Sequence, residues 1–186
     1  MKFKGFFSFF WEIAQIVIVA LVIVLPIRYF VFQPFIVRGA SMEPNFHNGD
    51  YLIVDELSYR FREPERGDII VFKYPQDPSQ RFIKRVLGLP GEQLELSNGK
   101  ITITKENGES IILSESDYLD NVTAGDGLGE KRMVLDNDEY FVLGDNRGHS
   151  YDSRRWGALV KDDIIGRTLF RAWPLDDITL FGNPEY

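Results

Sequence analysis

The sequence predicts a mainly β fold, with a compact, partly barrel-like all-β domain carried behind an N-terminal transmembrane helix. Three observations predict it. From Phe6 to Leu25 the chain is almost wholly apolar, broken by Ser8, Glu12 and Gln15. Beyond residue 35, short runs rich in β-branched and aromatic residues follow one another. Turn signals separate those runs: Asn48-Gly49-Asp50, Arg66-Gly67-Asp68, Ser97-Asn98-Gly99 and Glu106-Asn107-Gly108.

About twenty helical residues at about 1.5 Å each cross a bilayer core of about 30 Å, so the first segment has the length of an anchor. Lys2 and Lys4 precede it and Trp11 sits near its start, which by the positive-inside rule leaves the N-terminus in the cytoplasm. A cleaved secretory signal begins in the same way. Here, however, Pro26-Ile27-Arg28-Tyr29-Phe30 follows, with no small-x-small cleavage site. Pro26 and Pro34 are expected to end the helix and favour extended chain. The resulting division is a cytoplasmic N-terminus over 1–8, an anchor and connector over 9–32, and an extracytoplasmic domain over 33–186. Phe30, Phe32, Phe35 and Ile36 make the connector apolar, which suits a surface against lipid or the packing of a first strand.

Strands are expected over 35–38, 51–55, 68–74, 81–87, 93–96, 100–104, 110–113, 139–143 and 164–172. Asn98-Gly99, between Leu96 and Ile101, is the clearest hairpin turn. The acidic stretch 114–131 lacks periodicity and reads as a loop of minor functional weight, within a small variable insertion over about 106–138.

The formal net charge of −7 and the lack of a Lys/Arg cluster argue against a nucleic-acid partner. With no cysteine, disulfides, thiolate zinc sites and cysteine nucleophiles are excluded. Two histidines and no calcium-loop pattern lead us to expect neither metal nor cofactor. The length suits one globular unit besides the anchor, acting as a monomer.

Candidate chemistry lies in three segments. Ser41 stands in Gly39-Ala40-Ser41-Met42-Glu43-Pro44, where small residues and a proline can shape a turn that exposes a hydroxyl. Lys84 lies in a strand on the same face as Phe82 and Val86, and apolar neighbours can hold an amine neutral, as a base must be. The bland reading has Lys84 reach past Phe82 into water. The third segment runs from Gly144 through Asp145, Asn146, Arg147, His149, Ser150, Asp152 and Arg154 to Gly157. So dense a polar loop suggests a hydrogen-bonded network that fixes geometry. It also allows a rival triad of Ser41, His149 and Asp152.

In this order, the apolar anchor, Ser41-Met42-Glu43-Pro44, Gly67-Asp68-Ile69-Ile70-Val71-Phe72, Lys84-Arg85-Val86 with Gly88-Leu89-Pro90-Gly91, and Gly144 to Gly157 resemble type I signal peptidases. These are membrane-bound Ser/Lys endopeptidases that remove signal peptides from exported proteins. The resemblance covers nearly the whole chain. It implies Ser41 as nucleophile, Lys84 as general base and Ser150 as a hydrogen-bond partner of the lysine. Asp145, Arg85, Asp152 and Arg154 would form a structural ion-pair network, with Gly39 and Met42 shaping the nucleophile turn. It also implies cleavage after small residues at Ala-x-Ala type sites, with preprotein signal peptides and the lipid bilayer as partners. The chain would then be a single-pass plasma-membrane protein. Members that use histidine as base carry it where Lys84 stands, which disfavours the triad. One departure concerns the oxyanion hole. Some members have Ser or Thr where this chain has Gly39, which shifts the work to backbone N–H groups, chiefly that of Ser41. Two other classes fit less well: a membrane-anchored scaffold that kept the shape without activity, which the presence of both Ser41 and Lys84 disfavours, and a soluble Ser/Lys self-cleaving regulator, which the anchor disfavours.

Overall fold

The computed structural model describes residues 2–30, 32–119 and 130–182, with side chains described outside 2–8 and 26–32. The chain begins with one helix, α1 (Lys2–Phe30), whose described side chains, among them Trp11, Ile16 and Val22, are exposed on every side. Among the described residues, no helix is long and apolar enough to cross a membrane. The helix does not end at Pro26 as expected but continues to Phe30. A proline removes one backbone hydrogen bond, whereas unwinding the last turn would release several. The extended chain begins at Phe32, and Pro34 lies inside the first strand.

Twelve strands follow among the described residues: β1 (Phe32–Ile36), β2 (Tyr51–Asp55), β3 (Ile69–Tyr74), β4 (Asp77–Gly88), β5 (Gln93–Ser97), β6 (Lys100–Thr104), β7 (Ser110–Ile112), β8 (Lys131–Val134), β9 (Glu139–Leu143), β10 (Leu159–Val160), β11 (Ile164–Trp173) and β12 (Thr179–Leu180). The larger sheet has the order β1-β2-β11-β3-β4-β9-β10, with β12 added to β11. The smaller has the order β7-β6-β5-β8. The paired strands run antiparallel.

The expected partial barrel is instead two open sheets. The two ends of the larger sheet suit edges: β1 contains Pro34, which has no N–H to give a further strand, and β10 is a two-residue strand. Residues 131–134, assigned from sequence mostly to an insertion, form β8 and pair with β5. Alternation is obscured there because Lys131-Arg132 opens the strand and Val134 is exposed. The Asn98-Gly99 hairpin is present, with positive φ at both residues.

The central strands of the larger sheet are buried on both faces, which explains their nearly continuous apolar sequences. Along β3, Ile69 and Val71 join a core with Val37, Met42, Phe46, Leu52, Val54 and Ile83, while Ile70 and Phe72 join another with Val86, Tyr140, Val142 and Leu159. The first of these cores underlies the Ser41 turn. A third core, around Leu87, Leu94, Leu96, Ile101, Ile103 and Phe141, joins the two sheets.

Gly88, at the end of β4, sits in that junction. A methyl there would lie 2.7 Å from Leu94 Cδ1, 2.8 Å from Phe141 Cβ and 2.9 Å from Leu135 Cδ1. Overpacking of this kind costs about 1–3 kcal/mol. Gly88→Ala should therefore lower the denaturant midpoint of unfolding by an equivalent amount. An unchanged midpoint would mean that the junction between the sheets is looser than described.

Candidate active site

The turn that carries Ser41 is built from the exit of β1. Val37 donates to Asp50 O at 2.9 Å and Gly49 returns a bond to Val37 O at 2.9 Å, so the two ends of the turn are tied together. Gly39 adopts φ +87°, a region that residues with a Cβ disfavour, and its N–H donates to Asn48 Oδ1 at 3.0 Å. A side-chain donor at this position would thus demand a different backbone. Met42 and Phe46 are buried in the core beneath, and Phe46 N–H donates to Met42 O at 2.9 Å. The buried side chain of Met42 anchors the turn from below and leaves Ser41 at the surface of a groove.

Lys84 comes from β4, where it stands opposite Ile70 of β3. Its Nζ lies 2.8 Å from Ser41 Oγ and 2.9 Å from Ile83 O, and 5.4 Å from the Phe82 ring centroid. The side chain does not snorkel: the residue is only 4% exposed. Burial lowers its pKa from 10.5 to about 8, against the opposing pull of Asp152 and Asp145. Lys84 thus reaches the deprotonated form close to neutrality, hydrogen-bonded to a hydroxyl whose proton it can accept.

Two buried ion pairs frame Ser41 and Lys84. Arg85 grips Asp145 through Nε at 2.9 Å and Nη2 at 2.7 Å, and Asn45 Nδ2 donates to the same carboxylate at 2.8 Å. Arg154 grips Asp152 through Nε at 2.8 Å and Nη2 at 3.0 Å, and Gly144 N–H donates to it at 3.1 Å. Gly144 has no room for a side chain, since a Cβ would overlap Ser150 Oγ and the Ser41 carbonyl oxygen. This close approach brings the end of β9 against the Ser41 turn.

The predicted bond from Ser150 to the lysine is not made. Ser150 Oγ is buried without a hydrogen-bond partner among the described residues, while Lys84 Nζ is engaged by Ser41 and Ile83 O. The rival triad is not assembled either. His149 lines the groove with its Nδ1 3.2 Å from Asn146 Oδ1, and Asp152 is taken up by Arg154 and Gly144.

Sequence reasoning passed over Asn146, Asn45 and Tyr118. Asn146 N–H donates to Ser41 O at 3.1 Å, and its Nδ2 donates to Ala40 O at 3.1 Å. Tyr118 lies in the stretch assigned minor weight, yet its carbonyl accepts from Asn45 at 2.9 Å and its ring packs 3.9 Å from the Arg85 guanidinium carbon. Nearby, Glu115 pairs with the buried Arg147. The number of polar side chains in 144–157 could have pointed to Asn146; nothing in the local pattern marked Asn45 or Tyr118.

The groove has a volume of about 750 Å³. It is lined by residues 34–36 and 38–41, by residues 79–84, and by His149 and Tyr151. Phe82 stacks on Tyr74 at 4.8 Å between centroids, which stiffens the lining. Among the described residues, no group of three or more His, Asp or Glu side chains converges as a metal site.

The family model described as "Signal peptidase, peptidase S26" matches residues 10–173. The chain is 40% identical to a probable signal peptidase I-1 of Synechocystis, over 90% of this chain and 84% of that protein. It is 30% identical to signal peptidase IB of Staphylococcus aureus, over 90% of this chain and 91% of that one. A crystal structure of a signal peptidase I from Enterococcus faecalis superposes with a TM-score of 0.46 at 30% identity, covering 57% of this chain and 97% of that one.

The burial of Lys84 has a measurable cost. Lowering an amine from 10.5 to about 8 amounts to about 3 kcal/mol of differential stability. The folded pKa lies below the unfolded one, so the penalty is complete below about pH 8, shrinks as pH rises towards 10.5 and is absent above it. Relative to Lys84→Met, the wild type should gain about 3 kcal/mol of unfolding free energy across that window. Parallel denaturation profiles for the two proteins would contradict the lowered pKa.

Proposed function

Because the chain belongs to the signal peptidase S26 family and is a peptidase that removes signal peptides, we propose that it cuts exported preproteins with Ser41 as nucleophile and neutral Lys84 as general base, after small residues at Ala-x-Ala type sites. The observation that carries this reading is the 2.8 Å contact between Ser41 Oγ and an amine with a pKa of about 8.

As Ser41 Oγ bonds to the scissile carbonyl carbon, its proton passes to the Lys84 lone pair and the carbonyl electrons move to oxygen. The Ser41 backbone N–H stabilises that oxyanion, and no side chain at Gly39 assists it. The ammonium then protonates the leaving amine as the C–N bond breaks, leaving an ester on Ser41. Neutral Lys84 next takes a proton from water, the water oxygen attacks the ester, and Ser41 leaves carrying the proton back. An extended preprotein segment suits the groove between residues 34–41 and 79–84.

In this reading α1 is the single-pass anchor in the plasma membrane, with the N-terminus cytoplasmic and a monomeric catalytic domain outside. The apolar exposure of the helix supports it. So does the alignment of Ile36, Tyr51 and Trp173 across β1, β2 and β11, followed by exposed Leu175, Ile178 and Leu180. An exposed apolar rim of this kind is the surface expected of a domain that works against lipid.

The reading is tested with a preprotein carrying an Ala-x-Ala site and the detergent-solubilised full chain. Wild type should cut after the second Ala, by product mass, and Ser41→Ala or Lys84→Ala should lose at least about 10²-fold in rate. Because the deprotonated amine is the active form, kcat/KM should rise with pH through a midpoint near 8. Equal cleavage by Lys84→Ala, or an activity flat from pH 6 to 9, would overturn the dyad.

A further inference from the structure

Resting on the Ser41/Lys84 reading, the geometry points to Asn146 as a positioning residue for the oxyanion hole, and to His149 as the group that sets its orientation. Ala40 C=O and Ser41 N–H belong to one planar trans peptide and point in opposite directions. Whatever holds that carbonyl therefore aims that N–H. Ala40 O accepts from Asn146 Nδ2 at 3.1 Å and from Glu43 N–H at 3.2 Å, which fills both of its lone pairs.

The next peptide is held by the same residue, since Asn146 N–H donates to Ser41 O at 3.1 Å. Asn146 thus grips the carbonyls on both sides of the Ser41 Cα and fixes the two peptide planes that flank the nucleophile. Among the described residues, the Ser41 N–H itself donates to nothing. Hydrogen bonds onto Ala40 O also polarise the shared amide, which strengthens its N–H as a donor to developing negative charge.

The orientation of the Asn146 amide follows from donor and acceptor chemistry. A carbonyl oxygen can only accept, so the atom facing Ala40 O is the NH₂ group and Oδ1 faces His149. His149 Nδ1, 3.2 Å from that oxygen, must then carry a proton. The imidazole acts as a latch: it holds Oδ1 and so leaves Nδ2 directed at Ala40. It touches neither Ser41 Oγ nor Lys84 Nζ, whose partners are each other and Ile83 O.

The test uses the detergent-solubilised full chain on the Ala-x-Ala preprotein, with Asn146→Leu, which keeps size without a donor or a charge, and Asn146→Ala. Both should lower kcat at least about tenfold, towards the ~100-fold that a 1 Å misplacement costs. KM should stay within about twofold and the acid limb should keep its midpoint. A peptide boronate, which presents the tetrahedral oxygen, should lose affinity by the same factor as kcat/KM. His149→Ala should cause a smaller, severalfold loss that His149→Gln, which can still donate to Oδ1, restores.

If wild type and Lys84→Ala differ as expected but both Asn146 variants retain activity within twofold, the positioning role is overturned and the dyad stands. A fall in kcat with unchanged boronate affinity, or with a displaced acid limb, also overturns it, since Asn146 would then act on Lys84 or on the fold. A wild type that cuts no better than Lys84→Ala removes the dyad and this role with it.

Discussion

An ammonium group drawn into a site that is 4% exposed must find compensating charge or give up its proton. Lys84 is held between these outcomes. Asp145 and Asp152 pull its pKa upwards and burial pulls it further down, to about 8. Each carboxylate is itself gripped by a guanidinium, Arg85 on Asp145 and Arg154 on Asp152, so neither is an isolated charge facing the amine. Breaking either pair by removing the arginine would leave a buried carboxylate without its guanidinium, a change that costs several kcal/mol in other proteins. In the proposed reading the buried ion pairs are thus a condition for a neutral base, although they hold no proton that the reaction uses.

The surrounding fold is arranged to bring three distant pieces of chain to that amine. β4 supplies the adjacent residues Lys84 and Arg85, one bonded to Ser41 and the other to Asp145. The exit of β1 supplies Ser41 on a turn pinned by buried Met42 and Phe46. The segment after β9 supplies Asp145, Asn146 and Asp152, and it meets the turn at Gly144, where no Cβ fits. The two-sided burial of β3 and β4 makes this platform rigid, as positioning to fractions of an ångström requires.

Much of this was legible in the sequence, for identifiable reasons. The strands with clear alternation or apolar runs, such as 51–55, 100–104 and 139–143, have the expected bounds because pattern and burial agree there. β10 and β12 escaped notice as two-residue strands, whose pairing is set by neighbouring strands and not by local propensity. Pro26 misled because proline's local preference yields to the hydrogen bonds of the turn that follows it. At the site, Ser41 and Lys84 could be read because each carries chemistry in its own right. That Ser150 Oγ finds no partner among the described residues could not, since a hydroxyl's bond depends on a rotamer that tertiary packing selects. Asn45, Asn146 and Tyr118 contribute through contacts with residues far along the chain, as in the Asn45 to Asp145 bond, and only the fold reveals such pairs.

The central claim is that the Lys84 amine loses its proton near neutrality while bonded to Ser41. The measurement that tests it most directly is an NMR titration of the lysine side-chain ¹³Cε and ¹⁵Nζ signals, with Lys84 assigned by its absence from a Lys84→Met sample. The account predicts that Lys84 titrates with a midpoint near 8. A Lys84 midpoint at the model-peptide value of about 10.4, or above it, would contradict it.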